Sequence, residues 1–116
     1  MSVRLVYSHA AMTDLLRVWD EVYEASVDVE TADRYLDGLR AAIRAKTEFP
    51  RSGHPVDYCG LFTGFFMVQY KAYLAFYRIY EDRMEVARVL YYRQDYMPVL
   101  FGELGRNVDE DAGKSQ

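Results

Sequence analysis

The chain has 116 residues and a net charge of −4, with 51% apolar, 28% charged and 16% aromatic residues. That length suits one compact domain, and the balance is that of a globular fold rather than a disordered one. A single cysteine, Cys59, excludes an internal disulfide and a multi-cysteine metal site, and no apolar run approaches the roughly 18–20 residues that span a bilayer.

Met1–Tyr7 shows no long apolar run after a basic start, so no export signal is expected there and the chain reads as cytoplasmic. Charge is spread unevenly. Ala11–Asp33 holds seven acids against Arg17, a local balance of −6, whereas Arg34–Arg51 holds five bases against two acids, +3. Glu103–Gln116 is acidic again, at −2. Proteins that grip phosphate backbones present a broad basic face. Bases this patchy make a protein surface the better expected partner, with direct nucleic-acid binding weak or absent.

Val3–Tyr7 alternates as a short strand, and Ser8 is placed to cap the helix behind it. Ala11, Leu15, Val18, Trp19, Val22 and Ser26 recur at helical spacing to about Val27, with Asp14, Asp20, Glu21 and Glu24 read as the solvated face. A second helix, capped by Asp28 or Thr31, carries the stripe Ala32, Tyr35, Leu36, Leu39, Ala42 and Ile43 and stops before Phe49-Pro50. Pro50, Gly53 and Pro55 mark a loop. The period then changes to two: a short strand around Tyr58–Phe62, then Phe65–Tyr70, Tyr73–Tyr80 and Met84–Tyr92, joined by Lys71-Ala72 and Glu81-Asp82-Arg83. Asp95–Leu104 adds a short helix or a docked C-terminal segment. The predicted fold is α+β: an N-terminal strand, an antiparallel helix hairpin, then a three- to four-stranded antiparallel meander. One domain is expected over residues 1–104, with a disordered acidic tail over 105–116.

His9 and His54 have no acid or cysteine at the spacing of a zinc site or triad, and read as an exposed capping residue and a loop residue. Cys59 reads as a small buried hydrophobe rather than a nucleophile, and Gly60 and Gly64 as turn or bulge positions rather than a phosphate loop. No metal or cofactor is expected. The densest polar cluster is Arg88-Val89-Leu90-Tyr91-Tyr92-Arg93-Gln94-Asp95-Tyr96, where guanidinium, phenol and carboxylate close the last strand. Arginine clamps anions in bidentate fashion, and tyrosine stacks or moves protons. Its structural reading is a local Arg93–Asp95 ion pair with tyrosines covering the sheet edge. In a straight strand Arg88 and Arg93 point to opposite faces, so a bulge or strand end must turn one of them for a shared site. Both readings stay open at this point.

The run Val6-Tyr7-Ser8-His9-Ala10-Ala11, leading through Asp14-Leu15 to Val18-Trp19-Asp20-Glu21-Val22, resembles the opening of ParE toxins of the RelE/ParE superfamily. Ala32–Leu39, Phe49-Pro50-Arg51-Ser52-Gly53, Phe76-Tyr77-Arg78-Ile79 and Glu85–Asp95 resemble, in order, that family's second helix, its Pro-x-x-Gly loop, its central strand and its closing strand. The likeness covers roughly residues 3–101. The chain departs from the pattern at Gly64-Phe65-Phe66, where many relatives carry arginine, at Tyr91, where histidine is common, and at Ser8-His9, where serine–proline is usual.

The resemblance implies a toxin of a type II toxin–antitoxin module, neutralised by a ParD-like antitoxin. It implies inhibition of DNA gyrase, with Arg78, Arg88, Tyr92, Arg93, Asp95 and Tyr96 as target-binding residues. The alternatives within the superfamily are a ribosome-dependent messenger RNA endonuclease, with Arg93, Tyr92 and Tyr96 as its chemical groups, and an inactive interaction module. The lost arginine and histidine, with few lysines, weigh against the nuclease. An antitoxin helix is expected beside Leu15, Trp19, Leu36 and Leu39, although Trp19 in particular is expected to face the chain's own sheet. The acidic first helix predicts lysines or arginines on that antitoxin.

Overall fold

The computed structural model describes residues 2–103, so the expected tail lies outside the described residues. In chain order it contains β1 (Arg4–Tyr7), α1 (His9–Ser26), α2 (Val29–Ala45), a 3-10 turn (Pro50–Ser52), β2 (His54–Tyr58), β3 (Leu61–Tyr70), β4 (Tyr73–Ile79) and β5 (Arg83–Tyr91). Residues 97–103 form a further helical segment, α3. The five strands make one sheet in the order β1-β5-β4-β3-β2, antiparallel except for β1 against β5. This is the expected α+β arrangement, with a four-stranded meander.

Local chemistry sets the helix hairpin. The Ser8 hydroxyl accepts from the Ala11 amide at 3.0 Å and donates to the Ala87 carbonyl at 2.8 Å, so one side chain caps α1 and ties it to β5. Val27 ends α1 in the left-handed region at φ 51°, and its amide returns to the Tyr23 carbonyl. Asp28 then begins α2, with the Thr31 hydroxyl donating to its carboxylate at 2.6 Å.

Two apolar layers flank the sheet. Ala11, Leu15, Val18, Leu39 and Ile43 of the helices pack on Phe66, Tyr73, Ala75, Tyr77, Val86 and Val89. On the opposite face Phe65, Leu74, Phe76, Ala87 and Leu90 lie beneath Leu100, with Tyr96, Met97 and Val99 packed around it. The C-terminal segment thus docks on the sheet as well as being helical.

The β2–β3 hairpin corrects the sequence reading. The stretch expected as one strand around Tyr58–Phe62 is instead split by the hairpin turn: Tyr58 ends β2, Leu61 and Phe62 open β3, and between them stand Cys59, exposed rather than buried, and Gly60, at φ 53° and 79°. The strand precedes it at His54–Tyr58, in a segment read as loop on account of Pro55. β2 is an edge strand, where a residue without an N–H leaves no ladder bond unmade.

Candidate functional site

β1 is short, and its pairing with β5 ends at Tyr7–Val86. Beyond that point the β5 edge needs other partners. α1 supplies them: the Val89 amide donates to Asp14 Oδ2 at 2.9 Å, and Arg17 Nη2 donates to the Val89 carbonyl at 3.0 Å. The register of β4 on β5 also shifts between Phe76 and Tyr77, so that Phe76 opposes Arg88 and Tyr77 opposes Val86. The extra residue moves Arg88 off the helix face of Met84 and Val86 onto the Phe76 face, the side of α3, from where it reaches Asp14 at the open β5 edge. Its Nε and Nη2 donate to the two oxygens of Asp14 at 2.8 and 3.0 Å, and its Nη1 lies 3.7 Å from Glu103 of α3. Arg17 completes the cluster, donating to Asp14 at 3.0 Å.

Asp14 is 1% exposed, which overturns its assignment to the solvated face of the helix. A buried carboxylate is tolerated here because two guanidiniums and an amide donate to it. Asp14 in turn raises Arg88 above the ordinary guanidinium value, so Arg88 stays charged. This cluster fastens α1, β5 and α3 together and leaves Arg88 little capacity for an outside ligand.

The remaining residues expected at the target site are dispersed. Arg93 lies beyond the end of β5, exposed, with its Nε donating to the Tyr92 hydroxyl at 2.6 Å and its guanidinium 5.2 Å from the Tyr92 ring. It therefore engages its neighbouring phenol. Tyr91 lies 5.2 Å from Tyr92 and 5.8 Å from Tyr73, so three rings back this corner. Asp95 is exposed nearby in sequence, whereas Tyr96 packs on Phe76 at 4.8 Å in the far apolar layer. The structure thus joins Tyr92 with Arg93 and separates both from Tyr96 and Arg88. Arg78 of β4 stacks 4.4 Å over Phe65, and its buried Nε meets no hydrogen-bond partner among the described residues.

The second expected surface divides similarly. Leu39 is fully buried and Leu15 8% exposed, both in the core between helices and sheet. Leu36 is half-buried and lines a groove of about 310 Å³ with Tyr7, Met12, Leu15, Leu16 and Arg40. Trp19 does not face the sheet: its indole donates to Asp33 of α2 at 2.8 Å and stacks on Tyr23 at 5.4 Å. Met12, Leu16, Trp19, Tyr23 and Val27 consequently form a second apolar stripe along α1, at spacings of four, three, four and four residues. Within that stripe Met12 is 58% and Leu16 68% exposed.

Several phenols hold the layers together. Tyr77 donates to the Pro50 carbonyl at 2.5 Å, and burial pushes its pKa up to about 12. Tyr73 donates to Glu21 at 2.6 Å; burial and that carboxylate both raise it above the ordinary phenol value, and burial raises Tyr7 likewise. Among the described residues, no group of three or more histidines, cysteines and acids is placed to hold a metal ion, and no helix is long and apolar enough to cross a membrane.

Comparison with known proteins agrees with this architecture. No curated protein matches the sequence. A chain from the chromosomal ParDE toxin–antitoxin system of P. aeruginosa superposes with a TM-score of 0.66 at 15% identity, covering 78% of this chain and 96% of that one. A chain of the toxin–antitoxin complex RelBE2 from Mycobacterium tuberculosis gives 0.52 at 19% identity, covering 78% and 99%. The family model described as "ParE toxin of type II toxin-antitoxin system, parDE" matches residues 5–96. The chain belongs to the ParE toxin family of type II toxin–antitoxin systems.

Proposed function

We propose that this toxin acts by binding DNA gyrase, and that its antitoxin restrains it by laying an amphipathic segment along the helix hairpin. The observation that carries the target side is the exposed Tyr92–Arg93 pair, a guanidinium fixed on a phenol at the end of β5 and backed by Tyr91 and Tyr73. Arginine and tyrosine anchors of this kind dominate binding energy when a partner desolvates them, and prior immobilisation lowers the entropy lost on binding. The antitoxin side rests on the groove beneath Met12, Leu16 and Leu36 and on the apolar stripe continuing through Trp19 and Tyr23. Both solved relatives are toxin–antitoxin assemblies, which supports a partner of that class.

The test is tightly induced expression in a bacterium, scoring DNA breakage and the SOS response against protein synthesis and transcript integrity, followed by supercoiling and cleavage assays on purified gyrase. Early DNA breakage with translation still running, and cleavage complexes accumulating in vitro, are the expected results. Immediate translation arrest with cut transcripts overturns the gyrase reading and assigns the toxin to the ribosome. For the antitoxin side, Leu16→Asp places a charge in the groove and is expected to weaken antitoxin binding by about tenfold or more without unfolding an exposed position.

A further inference from the structure

A second concavity is larger than the groove between the helices. It lies at the tip of the helix hairpin, where α1 and α2 overhang the end of the sheet and leave a cleft of about 720 Å³ between the layers. Its walls are Val22, Ala25, Tyr35, Tyr73 and Tyr91, and Glu21 is the acid among its lining residues. That volume is ample for one large side chain, and aromatic and aliphatic walls suit an apolar one.

Acids outnumber bases on the α1 side of the cleft, while Arg93 stands between the lining residues Tyr91 and Gln94 on the other side. Glu21 and Glu24 lie on the flank of α1 beside it and are exposed, and Asp28 lies at the hairpin tip. The base of α1, Arg17, is already engaged by Asp14 and Val89. Lys71 lies over the Tyr35 and Tyr70 rings, at 5.2 and 5.4 Å. Arg34 is 4.0 Å from Glu30, so the charges of that exposed pair offset each other rather than those of Glu21 and Glu24. The other end of the hairpin is basic, with Arg40, Arg44 and Lys46 on or just after the last turns of α2. The hairpin is therefore bipolar, and its acidic pole coincides with the larger of the two apolar concavities.

We propose that this cleft is a second docking site for the antitoxin, filled by an aliphatic or aromatic side chain flanked by lysine or arginine, so that charge fixes the direction in which the antitoxin runs along the hairpin. The inference rests on the reading that an antitoxin binds the helix hairpin. Apolar burial supplies the anchor, while complementary charge selects the partner and its orientation. The apolar stripe through Trp19 and Tyr23 ends at Val27, so one segment crossing the groove is delivered to the hairpin tip.

The experiment measures binding of the full-length toxin to its co-encoded antitoxin by calorimetry, at about 50 and 300 mM salt, where screening differs strongly. Three variants are compared: Glu24→Lys, Ala25→Trp, which plugs the cleft, and Leu16→Asp in the separate groove. The charge-reversed toxin is expected to bind about tenfold more weakly at low salt with a flatter salt dependence, and Ala25→Trp about tenfold more weakly at both salts. The charge reversal alone keeps the proposal testable should Ala25→Trp disturb folding, which a thermal melt reveals. Wild-type affinity in both cleft variants, with Leu16→Asp still impaired, overturns the cleft while leaving the groove intact. Wild-type affinity in all three overturns both. Tighter binding after charge reversal means an acidic antitoxin end and overturns the proposal. So does a salt-sensitive dimer of the free toxin that Ala25→Trp dissociates, because a second copy then occupies the cleft.

Discussion

Arg88 and Arg93 stand five residues apart at the end of one strand, and the fold treats them oppositely. Arg88 is placed by a bulge on the α3 face of the sheet, between Glu103 and the Asp14 carboxylate at the strand edge, so its donors are committed within the protein. Arg93 lies past the last ladder bond and engages the adjacent Tyr92, leaving its terminal nitrogens exposed for a partner. A dense run of arginine and tyrosine is thus not one site. What separates anchor from recognition element is whether the guanidinium's hydrogen bonds are already made.

The sharpest way to break this division is to remove Asp14. Asp14→Ala leaves Arg88 half-buried without its carboxylate and the Val89 amide without an acceptor, at a cost of about 3–5 kcal/mol in urea unfolding. Arg88→Ala is expected to cost less, about 2–3 kcal/mol, because Asp14 keeps Arg17 and the Val89 amide. If Arg88→Ala unfolds at the wild-type midpoint, Arg88 is not an anchor and the comparison collapses.

The contrast extends to the phenols. Tyr77 is fully buried and fixed to Pro50, and an added Cβ at Gly53 would overlap its hydroxyl oxygen. Gly53→Ala is expected to cost about 1–3 kcal/mol, because the tyrosine cannot move without losing its bond. Tyr77→Phe should cost about 1 kcal/mol. Alkali tests the same anchor: the folded pKa of Tyr77, about 12, lies above the ordinary phenol value of 10.0. Its contribution is therefore fully present below about pH 10 and is lost as pH rises through about 12, as linkage requires. Tyr7 and Tyr73 are raised in the same direction. Urea midpoints measured from pH 9 to 12 should fall, and fall less steeply in Tyr77→Phe.

The helices, their Ser8 cap and the last three strands were legible in the sequence because each follows a local rule of period or capping. The Pro55 strand was not, since a proline at an edge and one in a loop look alike until strand order is known. Asp14 carried a signal that was overlooked: it stands three residues after Ala11 and four before Val18, on the buried stripe itself. Its role depends on where β1 stops relative to β5, a long-range fact no local pattern contains. Trp19 was misjudged for a related reason. Indole at the margin of an apolar stripe satisfies the core equally well on paper, and only the packing of α2 supplies Asp33 to its N–H. At the closing strand, spacing located the polar cluster, but the bulge at Arg88 and the strand end before Arg93 decided which residues are available.

The smallest expected effect on folding is the most informative about function. Arg93→Ala removes an exposed side chain whose described contacts are with Tyr92, so its effect on stability should lie within about 0.5 kcal/mol. Antitoxin affinity should also be unchanged, because the groove and the cleft are lined by other residues. Toxicity should nevertheless fall sharply, and Arg93→Lys should restore little of it, since an ammonium cannot bond the Tyr92 hydroxyl and still present forked donors to a partner. A toxin still lethal as Arg93→Ala would move the target contact off this corner. The Arg78 guanidinium on the opposite sheet face, stacked on Phe65 with its Nε unpaired among the described residues, would then be the next residue to change.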